Sequence, residues 1–285
     1  MTFQLARRLF AAARITTSTN ALLPIQCGQP HRPPPMHGGL FVAIPSIAHA
    51  LSNSPELIKP IANALLAALP RDEYLCMLED MERANLAFGE LLYETGETVR
   101  YVFFPNDSLI SLLTVVDPQH ALEVGMVGRE GMVGISYALG VRRSPVRALV
   151  HGAGTAMRMS ASRFRIQFRQ SERLQRLVHL HTQALLSQIA ETAACNRFHM
   201  IEARLARWLL MTRDRLGRSE FRLTQQFLSE MLGVRRVGVT NAAHALKLRN
   251  LIDYHRGDIS IIDSVGLEAS ACSCYHPIAA PVWQR

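Results

Sequence analysis

Short apolar runs separated by turn residues fill the stretch from Leu86 to Met159. Gly96-Glu97 and Pro105-Asn106-Asp107 are among the breaks, which recur about every 8–12 residues. Such spacing is typical of short antiparallel strands in a β-roll or jelly roll. The predicted strands are Glu90–Tyr93, Tyr101–Phe104, Ile110–Val116, Leu122–Met126, Arg147–Val150 and Thr155–Met159.

Helices are predicted on both sides of these strands. Apolar residues have helical spacing in Leu57–Leu69, which Pro70 ends, and Arg71–Met81 is predicted to form a second helix. Beyond the strands, residues 163–198 contain one long helix, and a further amphipathic helix ends near Gly217. The inward face of that last helix is predicted to be Ile201, Leu205, Trp208, Leu209 and Thr212.

One stripe along the long helix has positions at spacings of three or four residues. Because some of its members are polar, it fits either a seam between two copies of the chain or packing on the helix's own domain. We favour the dimer seam. The stripe consists of Leu174, Leu177, His181, Leu185, Gln188, Thr192 and Cys195.

The segment from Arg222 to Asp263 has the pattern strand, helix, turn, helix, hairpin. Thr224 is suited to the N-cap of a helix over Gln225–Leu232, with Phe227, Leu228, Met231 and Leu232 inward, and Gly233 suits the position that ends it. A second helix is predicted over Arg235–Leu248, with Val239, Ala242 and Leu246 buried. Two short helices joined through Gly predict a helix-turn-helix.

A β-hairpin is predicted directly after the second helix. Leu251–Arg256 and Ile259–Ile262 form its strands, and Gly257-Asp258 is predicted to be its two-residue turn. His255 and Arg256 would lie at its tip. A hairpin in this position is the wing of a winged helix-turn-helix.

The chain of 285 residues has a formal net charge of +8, and its distribution supports a polyanionic partner. Residues 197–256 hold 12 basic and five acidic residues, whereas residues 51–196 are close to neutral. The predicted outer face of the second helix combines charge with hydrogen-bonding groups, since Arg can read guanine and Asn can read adenine. That face carries Arg236, Thr240, Asn241, His244 and Lys247, with Arg235 at its start.

The other compositional signals narrow the class of protein. We expect no membrane span, because no run of about 18 uncharged apolar residues occurs. Five scattered cysteines favour a reducing cytoplasm over a secreted disulfide framework. We expect no metal site, because Cys272-Ser273-Cys274 supplies too few of the four ligands that zinc usually needs.

The pattern resembles the Crp/Fnr superfamily of transcription regulators over roughly residues 53–275. The resemblance is carried by the run from Leu223 to Arg236, by Val127–Gly134, by Ala193–Arg197 and by Cys272–Tyr275. It implies an α+β fold with an N-terminal β-roll, a long dimerisation helix and a C-terminal winged helix-turn-helix. It also implies a homodimer that reads a near-palindromic site, with double-stranded DNA and RNA polymerase as partners.

The resemblance is weakest in the effector pocket. Cyclic-nucleotide binders of the family use a Gly-Glu pair and a later Arg-Ser or Arg-Thr, whereas here Gly134 is followed by Ile135 and Arg143-Ser144 by Pro145. Loss of a buried acceptor for a hydroxyl costs on the order of 1–3 kcal/mol. We therefore expect an effector other than cyclic AMP and no bound cofactor. The four N-terminal cysteines of oxygen-sensing members are absent, so we expect no iron–sulfur cluster. A haem ligand such as His120 or His151 is the alternative that the sequence leaves.

The resemblance and the pattern together divide the chain into five parts. Residues 1–52 are predicted to be a disordered leader, although a transit peptide or an early start codon would have the same composition. Residues 53–168 are the predicted β-roll, 169–200 the dimerisation helix, 201–275 the winged helix-turn-helix and 276–285 a tail.

The predicted function is sequence-specific DNA binding by a homodimeric, cytoplasmic transcription regulator. Arg235, Arg236, Thr240 and Asn241 would read bases. Phosphates would be held by Thr224, Gln225, His244, Lys247 and Arg256. A small-ligand-sensing module with secondary DNA binding is the alternative. We expect no enzymatic activity, because nothing near Cys195, His181 or His199 has the spacing of an orienting partner.

Overall fold

The computed structural model describes residues 61–117 and 120–277, so the predicted leader lies outside the described residues. The helices are α1 (Ala64–Ala67), α2 (Arg71–Glu79), α3 (Ile135–Ala138), α4 (Ala161–Gln170), α5 (Glu172–Phe198), α6 (Ile201–Leu216), α7 (Gln225–Leu232), α8 (Arg236–Leu248) and α9 (Ser264–Ser270). The strands are β1 (Met81–Leu86), β2 (Leu91–Tyr93), β3 (Tyr101–Pro105), β4 (Leu109–Asp117), β5 (His120–Val127), β6 (Arg147–Gly152), β7 (Gly154–Ser160), β8 (Glu220–Arg222), β9 (Ile252–His255) and β10 (Asp258–Ile261).

Two antiparallel sheets form the N-terminal β-roll, in the orders β1-β7-β3 and β2-β6-β4-β5. Their inner faces share one core with α5, and the fully buried Phe104, Ile110 and Phe164 belong to it. All six predicted strands are confirmed, with small changes at their ends. The fold is α+β, as the pattern predicts.

The start of the roll differs from the prediction. The second helix ends at Glu79, and β1 follows at Met81, because Ala84 and Leu86 alternate inward with exposed polar neighbours. Only two apolar positions of β1 are buried, so its alternation is too weak to identify from the sequence. The described part of the predicted helix Leu57–Leu69 is helical only over α1, whose N-cap Asn63 accepts from two backbone N–H groups.

A glycine-rich turn, residues 127–134, follows β5 and packs against α5 and α6. Gly134 has φ +100°, a conformation that L side chains rarely adopt. A Cβ on Gly131 would lie 2.6 Å from His181 Nδ1, so the glycine lets the imidazole of α5 pack on the turn. His181 Nε2 also lies 3.0 Å from the Met132 carbonyl oxygen. The turn therefore fixes α5 against the roll.

The interpretation of the predicted stripe on α5 as a dimer seam is wrong. Leu174, Leu177, His181, Leu185 and Cys195 are buried within the single chain. They face the roll and its neighbouring helices, so the alternative of packing on the helix's own domain holds. A different line on α5 stays exposed, and Leu186 on it is 57% exposed.

The C-terminal part is a helix-turn-helix followed by a hairpin, in which β8, β10 and β9 form one antiparallel sheet. The hairpin turn differs by one residue from the prediction. Asp258 pairs with His255, so Arg256 and Gly257 form the turn. Both have positive φ, 51° and 94°, which is the geometry of a type I′ turn.

An apolar interface joins this part to the roll. Leu109, Leu113 and Met126 of the roll belong to the same buried cluster as the residues of α6, α7 and α8. Arg215 of α6 also forms an ion pair of 2.8 Å with Glu130 in the glycine-rich turn. Among the described helices, none has the length and apolar character needed to cross a bilayer.

Candidate nucleic-acid interface

The α7–α8 pair is held by caps and by a continuous apolar face. Thr224 Oγ1 accepts from the Phe227 backbone N–H at 3.1 Å, as predicted for an N-cap. Gly233 ends α7 with φ +61° and allows the chain to turn into α8. The predicted inward residues Val239, Ala242 and Leu246 are buried, so the opposite face of α8 is directed outward.

The outward face of α8 holds all four predicted base-reading side chains at or near its first two turns. Arg235 is the N-cap residue and Arg236 the first residue of the helix, and both are exposed. Thr240 and Asn241 follow one turn later and are also exposed. Side chains at the start of a recognition helix penetrate the major groove most deeply. The arrangement therefore presents two guanidinium groups, a hydroxyl and an amide on one accessible surface.

The predicted phosphate contacts differ in how much of their hydrogen-bonding capacity is already used. Gln225 Oε1 accepts from Thr240 Oγ1 at 2.9 Å, which links the two helices. Lys247 Nζ lies 2.7 Å from Asp253 Oδ1 in an ion pair that ties α8 to the wing and lowers the pKa of Asp253. His244 and Arg256 are exposed. Lys247 therefore holds the wing against α8 through this ion pair, a contact that the sequence did not indicate.

A buried polar network connects α6 of this domain to the β-roll. Trp208 Nε1 donates to Glu123 Oε1 at 2.8 Å, and Ser111 Oγ donates to Glu123 Oε2. His151 Nδ1 lies 2.6 Å from Ser111 Oγ. Burial raises the pKa of Glu123 to about 7, against hydrogen bonds from Ser111 and Trp208 that lower it. Burial also lowers the pKa of His151 to about 3, so the imidazole is neutral.

The predicted remnant of an effector pocket is an apolar cavity of about 160 Å³ between the roll and α5. Gly134, Ile135 and Ser144 line it, together with Leu185 and Ile189 of α5. The Ser144 hydroxyl donates to the Val146 carbonyl at 2.6 Å. Arg143 does not belong to the cavity lining, because its guanidinium donates to the exposed Gly96 carbonyl at 2.8 Å.

Sequence reasoning missed one group of chemistry-bearing residues. The ligand atoms of Cys195, His199, Cys272 and Cys274 all lie within 4.8 Å of one another. The spacing of Cys272 and Cys274 alone suggested an incomplete site, because the other two residues come from a helix far away in the chain. Nothing in the sequence indicates that these two distant segments come together; only the folded structure shows it.

Comparison with known protein families supports the helix-turn-helix assignment. Residues 203–270 match the family model of the Crp-like helix-turn-helix domain. No curated protein sequence is similar enough to this chain to count as a match.

Solved structures show the same fold at low sequence identity. FixK2 from Bradyrhizobium japonicum has a TM-score of 0.59 at 13% identity, over 68% of this chain and 98% of its own. A CRP-family regulator from Thermus thermophilus has a TM-score of 0.57 at 16% identity, over 69% and 99%. A CRP/FNR-family regulator from the same organism has a TM-score of 0.54 at 19% identity, over 67% and 98%. The chain therefore carries a Crp-like helix-turn-helix domain and has the fold of the Crp/Fnr transcription regulators.

Proposed function

We propose that the protein is a homodimeric, sequence-specific DNA-binding transcription regulator whose effector is not cyclic AMP. The observation that carries the proposal is the outward face of α8. Arg236 and Asn241 are exposed there, and the opposite side is anchored by the buried Val239 and Leu246. A rigid helix with bidentate donors and acceptors on its accessible face suits readout of base edges.

The wing and the caps supply the second class of contact. Arg256 has positive φ at the hairpin tip, where its side chain is exposed beside His255. Contacts of this kind neutralise phosphates, position the domain and carry no sequence information. Thr224, Gln225 and His244 belong to the same proposed class.

The proposed dimer uses the exposed line of α5 in place of the buried stripe. Leu186, Ala190 and Ala194 follow one another at helical spacing, and Leu186 is one of the large apolar residues that stay exposed. Small residues on this line allow two α5 helices to approach closely. A two-fold dimer would place its recognition helices in half-sites about one helical turn apart, roughly 34 Å. The polymerase contact expected of such a regulator is part of the same proposal.

The cavity supports an effector other than cyclic AMP. Pockets for drug-sized ligands usually enclose about 300–1,000 Å³, so a cavity of about 160 Å³ is small for a nucleotide. Ile135 offers no acceptor for a ribose hydroxyl, and Arg143 is held outside the cavity. A small apolar ligand would contact Leu185 and Ile189 of α5, which favours the ligand-sensing alternative as a second activity of the same molecule.

The test compares three arginine variants of the full chain. A preferred site is first selected in vitro from random duplexes, and binding of that site and of a random duplex is then titrated at one fixed salt concentration. We expect Arg236→Ala to lose about 1–3 kcal/mol on the selected site and much less on the random duplex. Arg256→Ala should weaken both to a similar extent and reduce the salt dependence.

Arg83→Ala is the matched control, because it removes one exposed positive charge from β1 of the roll, away from α8. It should leave both affinities close to those of the unmodified chain. An equal loss for Arg236→Ala on both duplexes would rule out base reading. The dimer is tested separately by Leu186→Glu, which should shift the mass in solution from dimer to monomer.

A further inference from the structure

Four potential metal ligands meet where α5 ends and the C-terminal segment returns. Cys195 and His199 are one helical turn apart, and the His199 backbone N–H donates to the Cys195 carbonyl at 3.1 Å. Cys272 and Cys274 follow α9 and lie in a turn that the Tyr275 N–H closes on the Cys272 carbonyl at 2.9 Å. Cys195 and Cys272 are 77 positions apart in the chain. The fold thus supplies two local pairs of ligands from distant segments.

The distances between the ligand atoms suit a single tetrahedral ion. Zn–S bonds of about 2.3 Å and Zn–N bonds of about 2.0–2.1 Å place two sulfurs about 3.8 Å apart, and a sulfur and a nitrogen about 3.6 Å apart. Cys195 Sγ and Cys272 Sγ are separated by 3.4 Å, and Cys274 Sγ and His199 Nδ1 by 3.6 Å. Since all four atoms lie within 4.8 Å of one another, the group is too compact for a multi-iron cluster.

A buried guanidinium lies beside the four ligand atoms. Cys195 and Cys272 are buried, and Arg207 of α6 is buried beside them, with its Nε–H donating to the Cys274 carbonyl at 3.0 Å. Three thiolates and a neutral imidazole around a divalent ion carry one net negative charge, which the Arg207 guanidinium offsets.

We propose that Cys195, His199, Cys272 and Cys274 bind one soft divalent cation of the Zn²⁺ type. Three thiolates and one imidazole are a recognised ligand set of structural zinc sites, in which no coordination position is left open for a substrate. Binding releases the protons of the thiols that are still protonated and leaves His199 coordinated through Nδ1.

A bound ion at this position would join the end of α5 to the segment that follows α9. His199 is the C-cap residue of α5, and Met200 separates it from α6, the first helix of the C-terminal domain. Cys272 and Cys274 lie beyond α9, at the end of the same domain. One bound ion therefore closes a loop from the end of α5 through the entire winged domain and back. Because the ligands flank the C-terminal domain on both sides, the ion would restrain the angle between α5 and α8.

Metal content tests the proposal on the full chain, purified with a non-chelating phosphine reductant. Elemental analysis should find about one zinc per chain. Addition of Co²⁺ to the metal-free reduced protein should give the d–d bands of tetrahedral cobalt and a thiolate charge-transfer band, and Zn²⁺ should remove both. Cys274→Ser and His199→Ala should each weaken metal binding by more than about a hundredfold, because outer-shell changes alone cost 10–100-fold.

Ser273→Ala is the matched control, because Ser273 is exposed between the two cysteines and offers no ligand in the cluster. It should bind metal as the unmodified chain does. Hydrogen exchange of residues 264–277 should slow when Zn²⁺ is added to the unmodified chain and should not change for Cys274→Ser. The exchange pattern of the roll also reports whether each variant is folded.

Three outcomes would overturn the proposal. Reduced, folded protein that takes up neither zinc nor cobalt has no such site. A cobalt spectrum that Cys274→Ser and His199→Ala leave unchanged places the ion elsewhere. A Cys195–Cys272 disulfide in a chain that binds no metal when reduced would assign the cluster to redox chemistry. None of these results bears on DNA selectivity, so the proposed function stands or falls separately.

Discussion

The buried carboxyl of Glu123 predicts an unusual dependence of stability on pH. The group is 5% exposed between β5 and α6, and burial raises its pKa from an ordinary 4.5 to about 7. Between these two values the folded chain keeps the proton while the unfolded chain loses it. The contribution of Glu123 to stability is therefore complete below about pH 4.5 and is lost as the pH rises through 7.

The magnitude follows from the shift. About 2.5 pKa units correspond to roughly 3 kcal/mol at 1.36 kcal/mol per unit. Glu123→Gln has nearly the same shape, accepts from the Trp208 indole and donates to Ser111, and it does not ionise. Relative to the unmodified chain, we expect its free energy of unfolding to rise by about 2 kcal/mol from pH 4.5 to pH 6 and by about 3 kcal/mol by pH 8.

Urea unfolding followed by circular dichroism at a series of pH values measures this difference. The neutral His151 destabilises the fold as the pH falls from 6.5 toward 3, but it is present in both chains and cancels in the difference. Glu220→Gln is the control, because it removes an exposed carboxyl of β8 outside the network. Parallel curves for Glu123→Gln and the unmodified chain between pH 4.5 and 8 would refute the reasoning.

Three further changes test the packing around the interface. Gly131→Ala should cost about 1–3 kcal/mol of stability, because its Cβ would lie 2.6 Å from His181 Nδ1, and a double-mutant cycle with His181→Ala should recover part of that cost. Thr224→Ala should cost about 1 kcal/mol through loss of the α7 cap, seen as a lower midpoint in thermal unfolding; an unchanged midpoint would contradict the capping role. Arg215→Met leaves the largely buried Glu130 with the Gly128 N–H but without its cationic partner and should cost about 3–5 kcal/mol, whereas Glu130→Gln with Arg215→Met should cost less than the sum of the two single changes.

The local pattern of the chain was sufficient for most elements. Six strands, the long helix and the helix-turn-helix follow from apolar spacing, Pro and Gly, because these features act within a few residues of one another. Thr224 and Gly233 take the caps expected of them for the same reason. The turn of the wing shifted by one residue, because both Arg256 and Gly257 adopt positive φ, and Arg is an unusual residue there.

Tertiary structure decided what depends on partners distant in the chain. Periodicity shows that one side of α5 is apolar, but it does not show what covers that side, and the β-roll covers Leu174 and Leu185. The Glu123–Trp208 bond and the meeting of Cys195 with Cys272 each join segments more than 70 residues apart. The sequence by itself thus determined the type of domain and which face of α8 is exposed. Which side of α5 is buried, and which three cysteines and one histidine converge at its end, were decided only by the tertiary packing.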